Sequence, residues 1–468
     1  MNFTLRPYQE ETIKLLREAF KNGSKRPILC LPTGAGKTVT FSQIADAATK
    51  KGNRVLVVCH RKELIEQAKR TMEAYGVDLL RVSFGMVQTL QRNPHQIPSC
   101  SVCIVDECHT GNFRKFVEML PPSVMIIGAT ATPISATKKN PLRNTFTDVI
   151  SPVSITDLVD AGYLAKPLHK LAKIDTSALQ IGSNGEFTTE SQDAVYTDLI
   201  DNIDLAYQNR IGKTIIFCSS IKTSIKVAER LGVGFVHSQM SDFERDKIVA
   251  DFKKTPNATI VNCGILTAGF DDPEIETVIV FRATTSLALW LQMCGRGSRV
   301  TASKRTFQII DMGNNVERHG AWHLDRDWKY IFEQEGKKKS NKEAPYKNCI
   351  NEDCRALILA SARICNLCVQ IQPTKEKTPP KATALQDLEY NPQPLPSHLR
   401  KPCSEMDVEE LVERAQIGST KTGTPYKIGW IVNQIKQHPK PSAIAMLKEL
   451  AILKGYSEGW VFHQSKTL

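Results

Sequence analysis

Between Pro27 and about Val280 the chain alternates short, uninterrupted apolar runs with stretches of helical periodicity. A strand whose residues are all apolar is covered on both faces, and its alternation with helices is the pattern of a parallel sheet with crossover connections. The first such strands are expected at Pro27 to Cys30, Val55 to Cys59, Val102 to Val105 and Val124 to Ile127. The pattern breaks from about Thr137 to Asp160. After Ala161-Gly162-Tyr163-Leu164 it resumes at Thr214 to Phe217, Phe235-Val236, Thr259 to Val261, Val278 to Phe281 and Phe307 to Ile310. Two α/β domains in tandem are therefore expected, over residues 1–160 and 161–315.

Beyond Gly313 the character changes. Residues 316–347 read as a basic helical connector ending in the lysines Lys337, Lys338 and Lys339, and 348–370 hold a cysteine cluster. Residues 371–403 contain seven prolines and few apolar positions, the composition of an extended linker. Helical periodicity returns in 404–468, at Val408, Leu411, Val412 and Ala415 and again from Ile444 to Leu453.

Length agrees with this division, because 468 residues exceed the roughly 250–300 that a single core accommodates. The apolar runs fall far short of the ~20 residues that span a bilayer, and the N-terminus lacks the basic and apolar regions of a signal peptide. A cytoplasmic protein of the reducing interior is expected, with no membrane partner and with cysteines that are thiols or metal ligands. The formal charge of +12 is uneven: net +7 over residues 1–160, zero over 161–315 and +5 over 316–468. A basic first domain suits a polyanionic partner.

Leu31-Pro32-Thr33-Gly34-Ala35-Gly36-Lys37-Thr38 follows an expected strand and opens an expected helix. Glycines there let backbone N–H groups converge on phosphate oxygens, a lysine reaches the terminal phosphates and a hydroxyl ligates Mg²⁺. Leu31 stands where the usual pattern has its first glycine, but the Gly34-Ala35-Gly36-Lys37-Thr38 half is intact. Further on, Cys103-Ile104-Val105-Asp106-Glu107-Cys108-His109 sets two carboxylates at the end of an apolar strand. Beside a phosphate loop they can divide labour, Asp106 holding Mg²⁺ and Glu107 activating water. Gln292-Met293-Cys294-Gly295-Arg296-Gly297-Ser298-Arg299 closes the second domain, and arginines from outside the loop domain complete a phosphoryl-transfer site only when the domains come together.

Together and in this order, over residues 3–313, these segments resemble a superfamily 2 helicase of the DEAD/DEAH class with two RecA-like domains. Leu5-Arg6-Pro7-Tyr8-Gln9 resembles the adenine-reading motif, which implies nucleotide contacts for Arg6 and Gln9. Pro32 to Thr38 matches the phosphate-loop motif, and Asp106 to His109 matches the carboxylate box as an Asp-Glu-Cys-His variant. Gly128 to Pro133 matches the coupling motif, and Gln292 to Arg299 the arginine motif, which implies catalytic roles for Lys37, Glu107, Gln292, Arg296 and Arg299. The resemblance also implies that Gly269 and Asp271 flank the ATP cleft, and that Arg61, Gln88, Thr89 and Thr267 contact the nucleic-acid backbone. Backbone contacts fix position without reading sequence, so binding is expected to be sequence-independent and sensitive to salt. Within the superfamily the likeness is to RadD-like bacterial and phage DNA-repair helicases, through the Asp-Glu-Cys-His box, Gly162-Tyr163-Leu164, Leu266 to Pro273 and the cysteine-rich segment.

Cys349, Cys354, Cys365 and Cys368 gather four thiols into twenty residues. Four thiolates satisfy tetrahedral Zn²⁺ and can fold a segment too small for a core. An iron–sulfur cluster and four free thiols are the other readings. The remaining cysteines sit in or beside expected strands and motifs, as small hydrophobes, and the tryptophans Trp290, Trp322 and Trp328 are expected in the core ahead of stacking on bases. The expected architecture is α/β: two tandem RecA-like parallel-sheet domains, then a zinc ribbon and a small helical C-terminal domain. The activity implied is an ATP-driven DNA helicase or translocase in repair, recombination or replication, using ATP, Mg²⁺ and Zn²⁺. The same motor on RNA, and an ATP-regulated nucleic-acid-binding switch that unwinds nothing, remain the alternatives.

Overall fold

The computed structural model describes residues 4–111, 113–136, 140–172, 174–267 and 269–335, and beyond these 346–348, 357–359, 385–388, 403–417, 428–436, 438–454, 456 and 458–465. The first lobe holds strands β1 (Pro27–Cys30), β2 (Val55–Cys59), β3 (Val82–Met86), β4 (Val102–Asp106), β5 (Met125–Thr130) and β6 (Asp148–Ile150) in the order β3-β2-β4-β5-β1-β6. Every pairing in it is parallel. The second lobe holds β7 (Lys166–Ala172), β8 (Thr214–Cys218), β9 (Gly234–His237), β10 (Thr259–Cys263), β11 (Thr277–Phe281) and β12 (Thr306–Asp311). Its order is β7-β12-β11-β8-β10-β9, again parallel. Strands β13 (Tyr346–Asn348) and β14 (Leu357–Leu359) form an antiparallel pair, and β15 (Leu385–Leu388) adds to β7 antiparallel.

Period-two geometry sends neighbouring residues to opposite sheet faces. Leu29, Val57 and Ile104 accordingly enter one apolar cluster, while Ile28, Val58 and Val105 enter the cluster on the other face. In the second lobe Ile215 and Val280 belong to the first of these clusters, whereas Ile216 and Ile279 line a separate core. One core therefore runs from lobe to lobe, through Ile155, Leu158 and Leu164 of the inter-lobe connector, residues 151–165. The break expected from Thr137 to Asp160 contains β6 and a capped helix, Ile155–Asp160, in which Ser154 and Asp157 form a capping box.

The segment 316–335 contains the helices Asn315–His319 and Trp328–Gln334. Its Phe332 is buried in the first lobe's core, so the chain crosses back from the second lobe. Helices Val408–Ile417, Ile428–Ile435, Lys440–Lys454 and Glu458–Ser465 share an apolar cluster that includes Leu411, Ile431, Ile435, Leu447 and Leu450. Among the described residues no helix is long and apolar enough to cross a membrane. Trp290 and Trp322 are fully buried. Of the nine described cysteines six are buried and three half-buried, all as free thiols. Cys349, Cys354, Cys365 and Cys368 lie outside the described residues, and so does most of 336–402.

Candidate active site

The loop between β1 and the helix Lys37–Thr49 is built on two left-handed glycines, Gly34 at φ 90° and Gly36 at φ 76°, the second being the helix N-cap. Gln9 supports the loop from beneath: its side-chain amide donates to the carbonyls of Ala35 and Gly36, both at 3.2 Å, and its oxygen accepts from Arg6 N–H at 2.9 Å. Tyr8 Oη donates to Ala35 O over 2.7 Å. The Arg6 guanidinium lies 4.7 Å above the Tyr163 ring, so the start of the chain and the connector meet beside the loop.

β4 delivers Asp106 and Glu107 to the same place. Lys37 Nζ lies 3.0 Å from Asp106 Oδ1 and is also bonded to Glu107 Oε1. Burial works to discharge the Lys37 ammonium, but the two carboxylates hold it above the ordinary lysine value. Burial also raises Asp106, against the pull of Lys37. For Glu107 burial opposes ionisation, but Lys37 and then His109 outweigh it and bring the carboxyl down to about 2. Glu107 has φ 48°, a left-handed conformation rare outside glycine and a form of strain concentrated at functional positions.

Residues 292–299 bring the second lobe onto this site. Gln292 donates its amide to His109 Nε2 over 2.7 Å, and His109 Nδ1 meets Thr130 Oγ1 at 2.7 Å. Thr130 Oγ1 in turn receives Thr132 N–H at 3.0 Å, so a line of hydrogen bonds runs from the second lobe through Asp-Glu-Cys-His to Gly128-Ala129-Thr130-Ala131-Thr132. With Nε2 accepting, the ring carries its proton on Nδ1. Burial brings the His109 imidazole down to about 4, so it is neutral at physiological pH. Arg296 is anchored by donation to the carbonyls of Phe270 and Gln292. Burial and then Arg299 lower its guanidinium to about 10, while Glu107 opposes the shift. Arg299 pairs with Asp271 at 3.1 Å and reaches Gly34 O at 3.5 Å. A Cβ on Gly295 would lie 2.8 Å from Thr33 Cβ, the close approach that a glycine permits there.

Lys37, Asp106, Glu107, Gln9, Gln292, Arg296, Arg299 and Asp271 thus converge on one seam. Gly269 is placed elsewhere, against Leu64 and Glu63 of the first lobe. Arg61 donates to Ile265 O at 3.4 Å across the cleft, and Gln88 donates to His60 O at 3.3 Å. Gln88 and Thr89 are exposed, whereas Thr267 is only 8% exposed, because it lies on the covered turn after β10. His109, Tyr8 and Tyr163 join the site without having been assigned roles from the sequence, although each stands inside a motif that the sequence displays. Thr38 and Asp106 offer hard oxygen donors beside the loop, a set that fits Mg²⁺. Oε2 of Glu107 is buried without a hydrogen bond among the described residues, 3.3 Å from His109 Nδ1. Among the described residues no group of three His, Cys, Asp or Glu side chains is arranged to hold a metal.

Two parallel-sheet lobes that meet at a phosphate loop, a carboxylate pair and the second lobe's Arg296 and Arg299 define a two-lobed P-loop ATPase. Residues 2–80 match the family described as type III restriction enzyme, res subunit, and residues 195–301 match the helicase conserved C-terminal domain. A 51.5 kDa protein of Lactococcus phage (isolate 7-9) is 32% identical over 350 residues, covering 72% of this chain and 76% of its own. The Saccharomyces cerevisiae protein described as the ATP-dependent helicase IRC3 is 27% identical over 355 residues, 66% of this chain and 51% of that protein. The chain therefore spans about half of that yeast relative. The fragment structure of an HsdR subunit of a type I restriction enzyme from Vibrio vulnificus YJ016 shares the fold, with a TM-score of 0.52 and 23% identity over 68% of this chain and 65% of that one. The chain belongs to the superfamily 2 helicases and is a nucleic-acid-dependent ATPase of helicase type.

Proposed function

We propose that the chain is an ATP-driven DNA translocase or helicase, its step being the closing and reopening of the seam between the lobes. The observation that carries this reading is that both lobes supply groups to one pocket: Lys37, Asp106 and Glu107 from the first, and Gln292, Arg296 and Arg299 from the second. Backbone N–H groups of the loop 33–38 bind the phosphates, and Lys37 leaves its carboxylate partners to neutralise them. Thr38 and Asp106 would hold Mg²⁺, which supplies further charge neutralisation on the phosphates. Glu107, ionised at neutral pH, orients the attacking water and takes its proton. Arg296 and Arg299 stabilise the charge that builds on the transferred phosphoryl group only while the lobes are closed, so hydrolysis releases them.

Arg61, Gln88 and Thr89 lie just past the C-terminal ends of the paired strands β2 and β3, and Ile265 past that of β10. This rim, in a lobe of net charge +7, is the proposed track for a DNA backbone, read without regard to sequence. The Escherichia coli type I restriction enzyme EcoAI endonuclease subunit, 24% identical over 386 residues, supports DNA over RNA. Cys349, Cys354, Cys365 and Cys368 are proposed to form a structural zinc ribbon, and 404–468 a separate helical domain. Repair or recombination is the proposed setting. The test is ATP hydrolysis with single-stranded, duplex and forked DNA and with RNA at matched salt, joined to strand displacement. DNA-stimulated turnover that Glu107→Gln and Lys37→Ala abolish while the fold persists is expected; near-wild-type turnover in either variant sinks the mechanism. Stimulation by RNA alone would move the substrate to RNA, and hydrolysis without displacement or translocation would make the protein a switch.

A further inference from the structure

The strap that leaves the second lobe is held at points flanking the seam. Trp290 Nε1 donates to Gly320 O and Trp322 Nε1 donates to Leu291 O, both at 3.2 Å, so the strap begins bound to the helix that carries Gln292. Thr156 Oγ1 of the connector donates to His323 O at 2.8 Å. Phe332 is then buried in the first lobe. Further along this strap, described over residues 316–335, the two oxygens of Glu335 accept separate backbone N–H groups, Ser135 N at 2.5 Å and Leu142 N at 2.7 Å. Ser135 follows closely on Thr130-Ala131-Thr132, and Leu142 opens the short helical turn Leu142–Asn144. Ala136, next to Ser135, donates its own N–H to His109 O at 2.9 Å. Between loop and carboxylate box lies a cavity of about 100 Å³, lined by Cys108, His109, Thr110, Ser135, Ala136 and Leu142 among others, which leaves the His109 segment room to shift.

We infer that Glu335 is a positioning residue of the ATP site: by clamping Ser135 and Leu142 it fixes, through Ala136, the main chain of His109 and so the bond between His109 and Gln292. The contacts form a ring. From His109 it passes to Gln292, along the helix to Leu291, through Trp322 and the strap to Glu335, and back by Ser135 and Ala136 to His109. A carboxylate suits the clamp because it can accept both N–H groups, whereas an amide offers only one oxygen. Lys329 of the strap also pairs with Glu405, in the turn that precedes the C-terminal helices, at 2.9 Å.

The inference rests on the nucleic-acid-stimulated ATPase proposed above, and the full-length protein tests it. Glu335→Gln is expected to lower DNA-stimulated kcat three- to tenfold with the KM for ATP unchanged. In a Gln292→Ala background the same substitution should change kcat by less than twofold, because both act on one contact. Hydrogen exchange provides a second readout: segments 133–142 and 107–111 should exchange faster in Glu335→Gln, and 214–218 at the wild-type rate. Glu335→Asp, which keeps both acceptors, should recover part of the loss and replaces the amide variant if that variant folds poorly. Equal losses in the two backgrounds, or wild-type stimulation in Glu335→Gln, would overturn the inference and leave the proposed function standing. A wild-type protein that no nucleic acid stimulates would instead remove the proposed function, and this inference with it.

Discussion

Gln292 and His109, 183 residues apart in sequence, meet amide to imidazole over 2.7 Å. The contact joins the second lobe to the carboxylate box of the first and stands next to Glu107, the carboxylate proposed to activate water, so closure of the lobes bears on that residue. Losing one hydrogen bond between buried groups costs roughly 1–3 kcal/mol. If the bond exists only in the closed state, Gln292→Ala should lower kcat about five- to a hundredfold and leave nucleotide affinity within a few-fold. Steady-state kinetics at saturating DNA give the answer; a rise in KM with kcat intact would assign Gln292 to ground-state binding instead.

The phosphate loop tolerates no side chain at Gly34. At φ 90° an L-residue is strained, and a Cβ would lie 2.8 Å from Leu164 Cδ2 and 3.1 Å from Ser298 Oγ. One of those neighbours is on the connector and the other is in the arginine segment, so Gly34→Ala should push the lobes apart as well as distort the loop. The expected result is loss of fluorescent-nucleotide binding with little change in the stability of the isolated fold. Gly36→Ala carries the same left-handed strain at φ 76°, and its Cβ would also meet Gln9 Nε2 at 2.6 Å, so Gln9→Ala should relieve that clash, read as partly recovered thermal stability, but not the one at Gly34. Equal rescue of both would contradict this assignment.

Much of this was legible in the sequence because buried parallel strands leave uninterrupted apolar runs. β1, β2, β4, β8 and β11 are all of that kind, and each is buried throughout. β3 and β7 escaped the pattern for physical reasons. β3 is an edge strand containing Ser83 and Gly85, and β7 interrupts its apolar residues with Lys166, His169 and Lys170, pairing along its outer edge with β15 from Ala172 to His169. The site motifs were equally legible, since phosphate chemistry dictates Gly, Lys and Thr at fixed spacing. What sequence spacing could not supply was the pairing of distant segments: His109 with Gln292, Arg61 with Ile265, and Glu335 with Ser135.

Acid should weaken the motor before it titrates the catalytic carboxylate. Burial lowers His109 to about 4, His169 to about 3 and His323 to about 4. Neither ring nitrogen of His169 has a hydrogen bond among the described residues, and its ring lies 5.5 Å from that of His323. In the unfolded chain a histidine titrates near ~6.5. Each folded value lies below the unfolded one, so below about 6.5 the unfolded chain takes up protons that the folded chain refuses. Stability is complete above that pH and declines as pH falls toward 4, by up to ~1.4 kcal/mol per pH unit for each histidine. Urea midpoints between pH 7.5 and 5 should decrease accordingly, and His169→Leu should flatten the decrease. A midpoint independent of pH over 5–6.5 would contradict the neutral burial of these rings.

If Arg61 lies on the proposed DNA track, its removal separates binding of the polymer from chemistry on the nucleotide. It caps the helix Lys62–Tyr75 at the end of β2 and reaches Ile265 O from the other side of the cleft. Its charge therefore sits where the rims of the two lobes touch, on the Ile265 side of the cleft. A guanidinium that neutralises one phosphate displaces about one counterion, so its removal should weaken affinity for every sequence alike. Arg61→Ala is expected to reduce DNA affinity about tenfold at low salt and to lower the slope of log affinity against log salt by about 1, with unstimulated ATP hydrolysis unchanged. A titration at several salt concentrations measures both quantities. If affinity falls while the salt slope stays fixed, Arg61 acts through its bond to Ile265, holding the lobes in register, and the phosphate contact belongs to another residue on the rim.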